Sequence, residues 1–235
     1  MYAAYTSMYT SFTSNVNTVY TDPAIKLQSI MPVARKAYHH GELRESLLKI
    51  AEAQLEKDGP SGLSLRKLGR KLGVSPGAPY RHFEDKDGLL AALATRGFQR
   101  LRTMMLDAQE GAVGGKERLR RSGIGYLRFA SQHPELFRLM FGWMPARDVP
   151  ELYESGDAAF AVLVEVLTVC HEDGLLSQDP LEAGLLAWSA VHGASFLLID
   201  DGLKVCDMKP DAEEVADRLH ASMWSGIGRS RAQES

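Results

Sequence analysis

Residues Leu63–Phe83 read LSLRKLGRKLGVSPGAPYRHF, and their spacing organises the reading of everything around them. Leu65, Leu68 and Leu72 recur three and four apart behind Ser64. This predicts a short helix with Ser64 as its N-cap, closed by Gly73 in the left-handed position past a helix end. Val74 supplies an apolar plug. Ser75-Pro76 restarts the chain, with serine as N-cap and proline at the first helical position, where its missing N–H costs nothing. The second short helix ends near Phe83. Two short helices about a tight turn make a helix-turn-helix, whose first member braces the DNA backbone and whose second enters the major groove.

Upstream of this pair, Leu43, Leu47, Ile50, Ala51 and Leu55 share one helical face, and the run from Gly41 stops at Asp58-Gly59-Pro60. Downstream, Leu89, Leu90, Leu93, Ala94, Phe98, Leu101 and Met105 mark a long helix that starts at about Lys86. Further helical runs cover Lys116–His133, Pro134–Phe141, a long stretch to about His171, Pro180–Ile199 and Ala212–Trp224. No useful stretch alternates with period two, so the expected class is all-α.

The chain has 235 residues, 45% hydrophobic and 24% charged, enough for a real core without staples. Its only cysteines, Cys170 and Cys206, make no disulfide framework and no zinc spacing, which fits a reducing cytosol and leaves no metal site to expect. Residues 1–30 mix Tyr2, Tyr5, Tyr9 and Tyr20 with serine and threonine and show no period. A disordered tail is expected over 1–36, and another over 229–235. Ala183–Ile199 is uncharged for 17 residues but short for a membrane span, so a buried helix of a soluble protein is expected there. Charge is uneven: 11 Lys and Arg stand against 7 Asp and Glu in Met31–Lys86, and 15 against 22 from Asp87 onward. A basic front on an acidic body suits a nucleic-acid surface at one end, and it equally suits ordinary solvated surface.

The run from Leu63 through GVSPGAPYRHFEDKDGLL, with Tyr80, His82 and Phe83 followed by Lys86, resembles the N-terminal DNA-binding domain of TetR-family transcriptional repressors. Further on, Trp188, His192 and Gly193 in WSAVHGASFLLID, preceded by YLRFASQHPELFRLMF from Tyr126 to Phe141, resemble a subgroup with a tryptophan-histidine-glycine signature. The resemblance implies an all-helical homodimer. A three-helix DNA-binding domain would occupy 37–101, and a larger helical domain over 102–228 would bind a small effector and dimerise.

Tyr80 carries a phenolic hydroxyl able to reach a phosphate, as the matching tyrosine does in the family. Lys86 adds a cation beside a helix N-terminus; both position the protein rather than specify sequence. Ser64 is expected near the backbone of the other strand. Arg66, Ser75, Gly77, Ala78, Arg81 and His82 are placed near base edges or phosphates, with Pro76 and Pro79 in the same segment and Arg66 best suited to guanine. The segment departs from the family pattern at Pro76 and Ala78, where a lysine or other polar residue and a threonine are common. Pro79, at about the fourth helical position, cannot donate to Ser75. Arg35 and Lys36 read either as an arm reaching the minor groove or as tail charges. Lys67, Arg70 and Lys71 read as a solvated face.

For the effector, the resemblance implies an apolar pocket, drawn from Tyr126, Phe129, Phe137, Met140, Phe141, Trp143, Phe160, Trp188, His192 and Phe196; filled core is the plainer reading of such residues. Gly184, Ala187, Ala190, Ala194 and Ser195 would let a partner helix approach in a dimer built as a four-helix bundle. The expected function is a cytoplasmic repressor released from a near-palindromic double-stranded operator by a small, largely apolar molecule, with a constitutive repressor as the alternative. An enzyme is disfavoured. His133 with Glu135, or His171 with Glu172 and Asp173, are sequence neighbours that do not converge, and no nucleophile motif or cofactor motif occurs. A purely structural interaction protein would leave the helix-turn-helix unexplained.

Overall fold

The structure, a computed structural model, describes residues 35–207 and 210–227. Eight α-helices account for most of them: α1 Arg35–Asp58, α2 Leu65–Lys71, α3 Lys86–Ala108, α4 Gly114–Gln132, α5 Pro134–Gly142, α6 Pro150–Glu172, α7 Pro180–Ile199 and α8 Ala212–Ile227. Among the described residues there is no strand. The tails expected at 1–36 and 229–235 lie outside the described residues, except that the backbone of Arg35 and Lys36 already forms the first turn of α1. The helix thus begins before the apolar period does, because its first turn carries no apolar stripe to announce it.

The second short helix of the helix-turn-helix does not form as an α-helix. Pro79 has no N–H for the Ser75 carbonyl, and the Ala78 N–H takes that carbonyl instead at 3.0 Å, one residue early. Pro79 then stands at the first position of a single 3-10 turn, Pro79–Arg81, with Ala78 before it. Ser75-Pro76 therefore opens a turn rather than a helix. Gly73 does take the left-handed conformation, φ 68°, that ends α2. Ser64 sits at the N-cap position of α2 with extended backbone, but its hydroxyl makes no cap bond.

α3 runs without a break from the head into the body, past the domain boundary expected after residue 101. Asp85 caps it, its carboxylate accepting from the Gly88 N–H at 2.8 Å. Head and body share one core: Leu47, Leu55, Leu68 and Phe83 join Leu89 and Leu93 of α3, and these join Phe129, Phe137 and Val162 farther along. α3 packs chiefly on α6 and α4, while α5 touches both α1 and α3.

α7 is long and apolar enough to cross a membrane by length and composition. Within the protomer it is partly covered, with Ala183, Gly184, Ala187 and Ser195 its buried residues. The small residues serve in-chain packing: a Cβ at Gly184 would lie 3.4 Å from Val164 and 3.5 Å from Phe160 of α6. The open face of α7 carries Leu185, Leu186 and Leu197, each about half exposed, with Ser189 and Gly193 between them.

Candidate DNA-binding surface and ligand cavity

The head exposes a basic surface built by α2 and the turn after it. Leu65, Leu68 and Gly69 face the core, which by helical periodicity turns Arg66, Lys67 and Arg70 outward. Past Gly73, the exposed Ser75, Pro76 and Gly77 lead to Tyr80 and Arg81, both exposed, with Tyr80 at 46%. Ala78, His82 and Lys86 are half-buried along the same edge. Pro79, expected among the DNA contacts, is buried instead. A Cβ at Gly69 would come within 2.7 Å of its ring, so Pro79 is the wedge that seats the turn on α2. Phe83 is core, 4% exposed, with the Arg44 guanidinium over its ring at 5.4 Å.

The cations of this surface carry no carboxylate partner among the described residues: Arg66, Lys67, Arg70, Arg81 and Lys86 form no ion pair, whereas Arg96, Arg100, Arg120, Arg121, Arg128, Arg138, Arg147 and Arg218 each hold a carboxylate. Lys71 is turned aside by a hydrogen bond to Gln54. Arg66, Lys67, Arg70, Arg81 and Lys86 thus leave positive charge available on the surface where exposed Tyr80 can meet a phosphate. The side chains of Arg35 and Lys36 lie outside the described residues.

Behind α3 lies an apolar cavity of about 70 Å3. Phe98, Leu101 and Met105 of α3 wall one side, Leu119, Ser122, Gly123 and Tyr126 of α4 another. Phe160 and Leu163 of α6, Trp188 and Val191 of α7, Leu219 and Met223 of α8, and Phe141 of α5 complete it. Arg120 and His220 also border it. Of the residues expected to line a pocket, Tyr126, Phe141, Phe160 and Trp188 do so. Phe129 and Phe137 are fully buried in filled core, with their rings 6.4 Å apart. Trp143 packs on the same cluster from beyond α5, as does Phe196 from α7. Met140 presses on Gly97, where a Cβ would meet its sulfur at 2.4 Å. The α3 and α8 walls were missed because their residues carry the ordinary apolar stripe of any packed helix.

His192 stands behind the cavity wall rather than on it. Its ring lies 4.5 Å from that of Phe141 and 5.4 Å from that of Phe137. The Trp188 indole N–H donates to the Tyr126 hydroxyl at 3.2 Å, and that hydroxyl meets His192 Nδ1 at 2.9 Å. Burial among these rings pushes the imidazole down to about 4, so it is neutral at physiological pH. This joins Trp188 and His192 in one network with Tyr126. Among the described residues no group of three His, Cys, Asp or Glu converges as a metal site.

Two links tie the cavity to the head besides α3. The Glu56 carboxylate of α1 accepts from the Glu135 and Leu136 N–H groups, each at 3.1 Å, capping α5 from outside. Burial raises Glu56, and those two bonds oppose the rise. Beyond α5, Arg147 bridges Glu84 and Asp85 at the start of α3. The Gly88 N–H foremost, and Arg147 after it, hold the Asp85 carboxyl below its usual range.

A head with an exposed basic surface and a turn-held tyrosine, joined by one continuous helix to an apolar cavity, fits a DNA-binding regulator. Family models agree. Residues 47–93 match the bacterial regulatory proteins of the tetR family, and residues 119–223 match the tetracycline repressor-like C-terminal domain. A solved structure from Rhodococcus sp. RHA1, a protein of unknown function, is 36% identical, with a TM-score of 0.73 over 83% of this chain and 100% of that one. The TetR-family regulator PfmR from Thermus thermophilus is 23% identical, with a TM-score of 0.60 over 78% and 99%. FadR from Bacillus subtilis, solved in complex with stearoyl-CoA, is 16% identical, with a TM-score of 0.61 over 78% and 98%. The chain belongs to the TetR family of DNA-binding transcriptional regulators.

Proposed function

We propose that the protein is a cytoplasmic repressor that holds a near-palindromic operator as a homodimer and is released when a small, largely apolar molecule enters the cavity. The observation that carries this reading is the continuity of α3. Lys86 stands at its DNA-side end and Phe98, Leu101 and Met105 on the cavity wall, so Lys86 and Leu101 are linked by about 22 Å of unbroken helix at 1.5 Å per residue. A ligand that displaces the cavity end tilts the DNA end. The Glu56 cap and the Arg147 bridge carry the same movement through α5. That FadR of this fold was solved with stearoyl-CoA supports an apolar ligand here.

The half-exposed leucines of α7 support dimerisation through that face, since a second copy would cover them and set two heads side by side. Release requires a ligand that prefers the head spacing unfit for DNA; equal affinity for both spacings shifts nothing. Linkage provides the test. Operator duplex must weaken ligand binding by the factor by which the ligand weakens duplex binding. Titrating a bound apolar compound with and without operator duplex shows matched factors if the reading holds. Unchanged affinity in both directions, for every compound that enters the cavity, leaves a constitutive repressor instead.

A further inference from the structure

The cavity wall is almost all carbon, and its few polar groups differ in how much hydrogen-bonding capacity the protein has already consumed. Tyr126 is held by Trp188 and His192, Arg120 by Glu117 and Asp217 at 2.9 and 2.6 Å, and His220 through Nε2, which accepts from the Trp224 indole N–H at 2.7 Å. Ser122 on α4, 2% exposed, is different. Its oxygen accepts from Gln109 Nε2 at 2.8 Å, and Gln109 Oε1 accepts from Arg118 Nε at 3.0 Å. A guanidinium only donates, so the amide oxygen of Gln109 must face Arg118 and its NH2 must face Ser122. The relay has a fixed direction: it takes one of the two lone pairs of the serine oxygen, while the hydroxyl proton finds no acceptor among the described residues. Thr95, Thr103, Thr168, Ser189 and Ser195 each donate their hydroxyl to the carbonyl four residues back, at 2.8 to 3.0 Å. Ser122 makes no such bond, although it sits mid-helix like them.

We infer that the cavity is built for a neutral, mostly hydrocarbon molecule bearing one acceptor oxygen, a carbonyl, seated on the Ser122 hydroxyl. This rests on the reading of the cavity as a ligand site. A buried donor without an acceptor is costly, so a ligand that accepts from it gains over a hydrocarbon of the same shape. A carboxylate fits poorly, because the guanidinium at the cavity border is already neutralised by two carboxylates and burying a further anion there has no compensation. An ammonium fits poorly as well, since a charge buried against this carbon wall finds no free carboxylate to pair with.

The test uses the full chain with N-phenyl-1-naphthylamine bound, displaced in turn by 2-nonanone, 1-nonene, nonanoate and nonylammonium. The expected order puts 2-nonanone about 5- to 10-fold tighter than 1-nonene, the worth of one buried hydrogen bond, with both ions weaker than the ketone. Ser122→Ala should bring the ketone within about twofold of the alkene, while the alkene itself stays within twofold of its wild-type value and so reports that the cavity is intact. The inference is overturned if ketone and alkene bind alike in the wild type, if Ser122→Ala weakens both equally, if nonanoate binds tightest, or if the chain takes up none of the four. Selective ketone binding with no change in affinity for operator duplex leaves this inference standing and removes only the release mechanism.

Discussion

Gly69 and Pro79 approach so closely that the turn bearing Tyr80 depends on the absence of one methyl group. Gly69→Ala would force a Cβ to 2.7 Å from the proline ring, an overpacking cost of about 1 to 3 kcal/mol that urea denaturation should register. Duplex affinity should fall further than stability alone requires, since Tyr80 and Arg81 follow the proline directly. Tyr80→Phe, by contrast, should leave stability unchanged and weaken binding to all duplex sequences alike, as expected for a phosphate contact. His192 makes a pH prediction. Its folded value near 4 lies below the ordinary histidine value of 6.5, so the unfolded chain binds the extra proton first. The stability it contributes is fully present above pH 6.5 and is lost as pH falls toward 4. Unfolding free energies of wild type and His192→Gln should therefore converge over that window, by about 2 kcal/mol after allowance for partial exposure. A constant difference across that window would contradict the buried neutral imidazole. At this scale the sequence was readable where chemistry is local: Tyr80 and Arg81 are exposed and Phe83 is core. Ser122 was not readable, because its meaning depends on Gln109, 13 residues away across a helix junction.

α5 is the element on which both ends of the molecule pull. Its N-terminus is capped by Glu56 from the head, its Phe141 forms cavity wall, and the loop after it binds the start of α3 through Arg147. Glu56→Ala removes two acceptors from helix N–H groups and should cost about 1 kcal/mol of stability. The more telling readout is coupling: the factor by which ligand and duplex weaken each other should shrink in this variant and in Arg147→Ala, while each binds alone nearly as in wild type. Undiminished coupling in both variants would assign transmission to α3 alone. Most helices were legible from apolar spacing, with Pro180–Ile199 matching the structure at both ends. The recognition segment was not, because the pattern Ser75-Pro76 promises a helix start that Pro79 then vetoes, and the loss of one backbone bond leaves only a 3-10 turn. The small residues of α7 were legible as a close-packing face but not as whose: Gly184 meets Phe160 and Val164 of its own chain.

For the whole molecule, two expectations concern assembly and DNA. The open face of α7, with Leu186, Gly193 and Leu197, should meet its copy about a two-fold axis. Leu186→Glu, at a site already half exposed in the protomer, should give a monomer of unchanged helicity by light scattering and circular dichroism, with operator affinity sharply reduced. A dimer that survives both Leu186→Glu and Leu197→Glu would place the interface elsewhere. The central claim is that the exposed basic surface of the head reads double-stranded DNA as one half of a symmetric pair. The most direct measurement is repeated selection of the full chain on a pool of random-sequence duplex, followed by anisotropy of the enriched duplex at several salt concentrations. The account predicts a near-palindrome whose half-sites lie about 34 to 36 Å apart or a multiple of this, bound with an affinity that falls steeply as salt rises. A pool without enrichment, or an enriched duplex whose affinity is indifferent to salt, would contradict it.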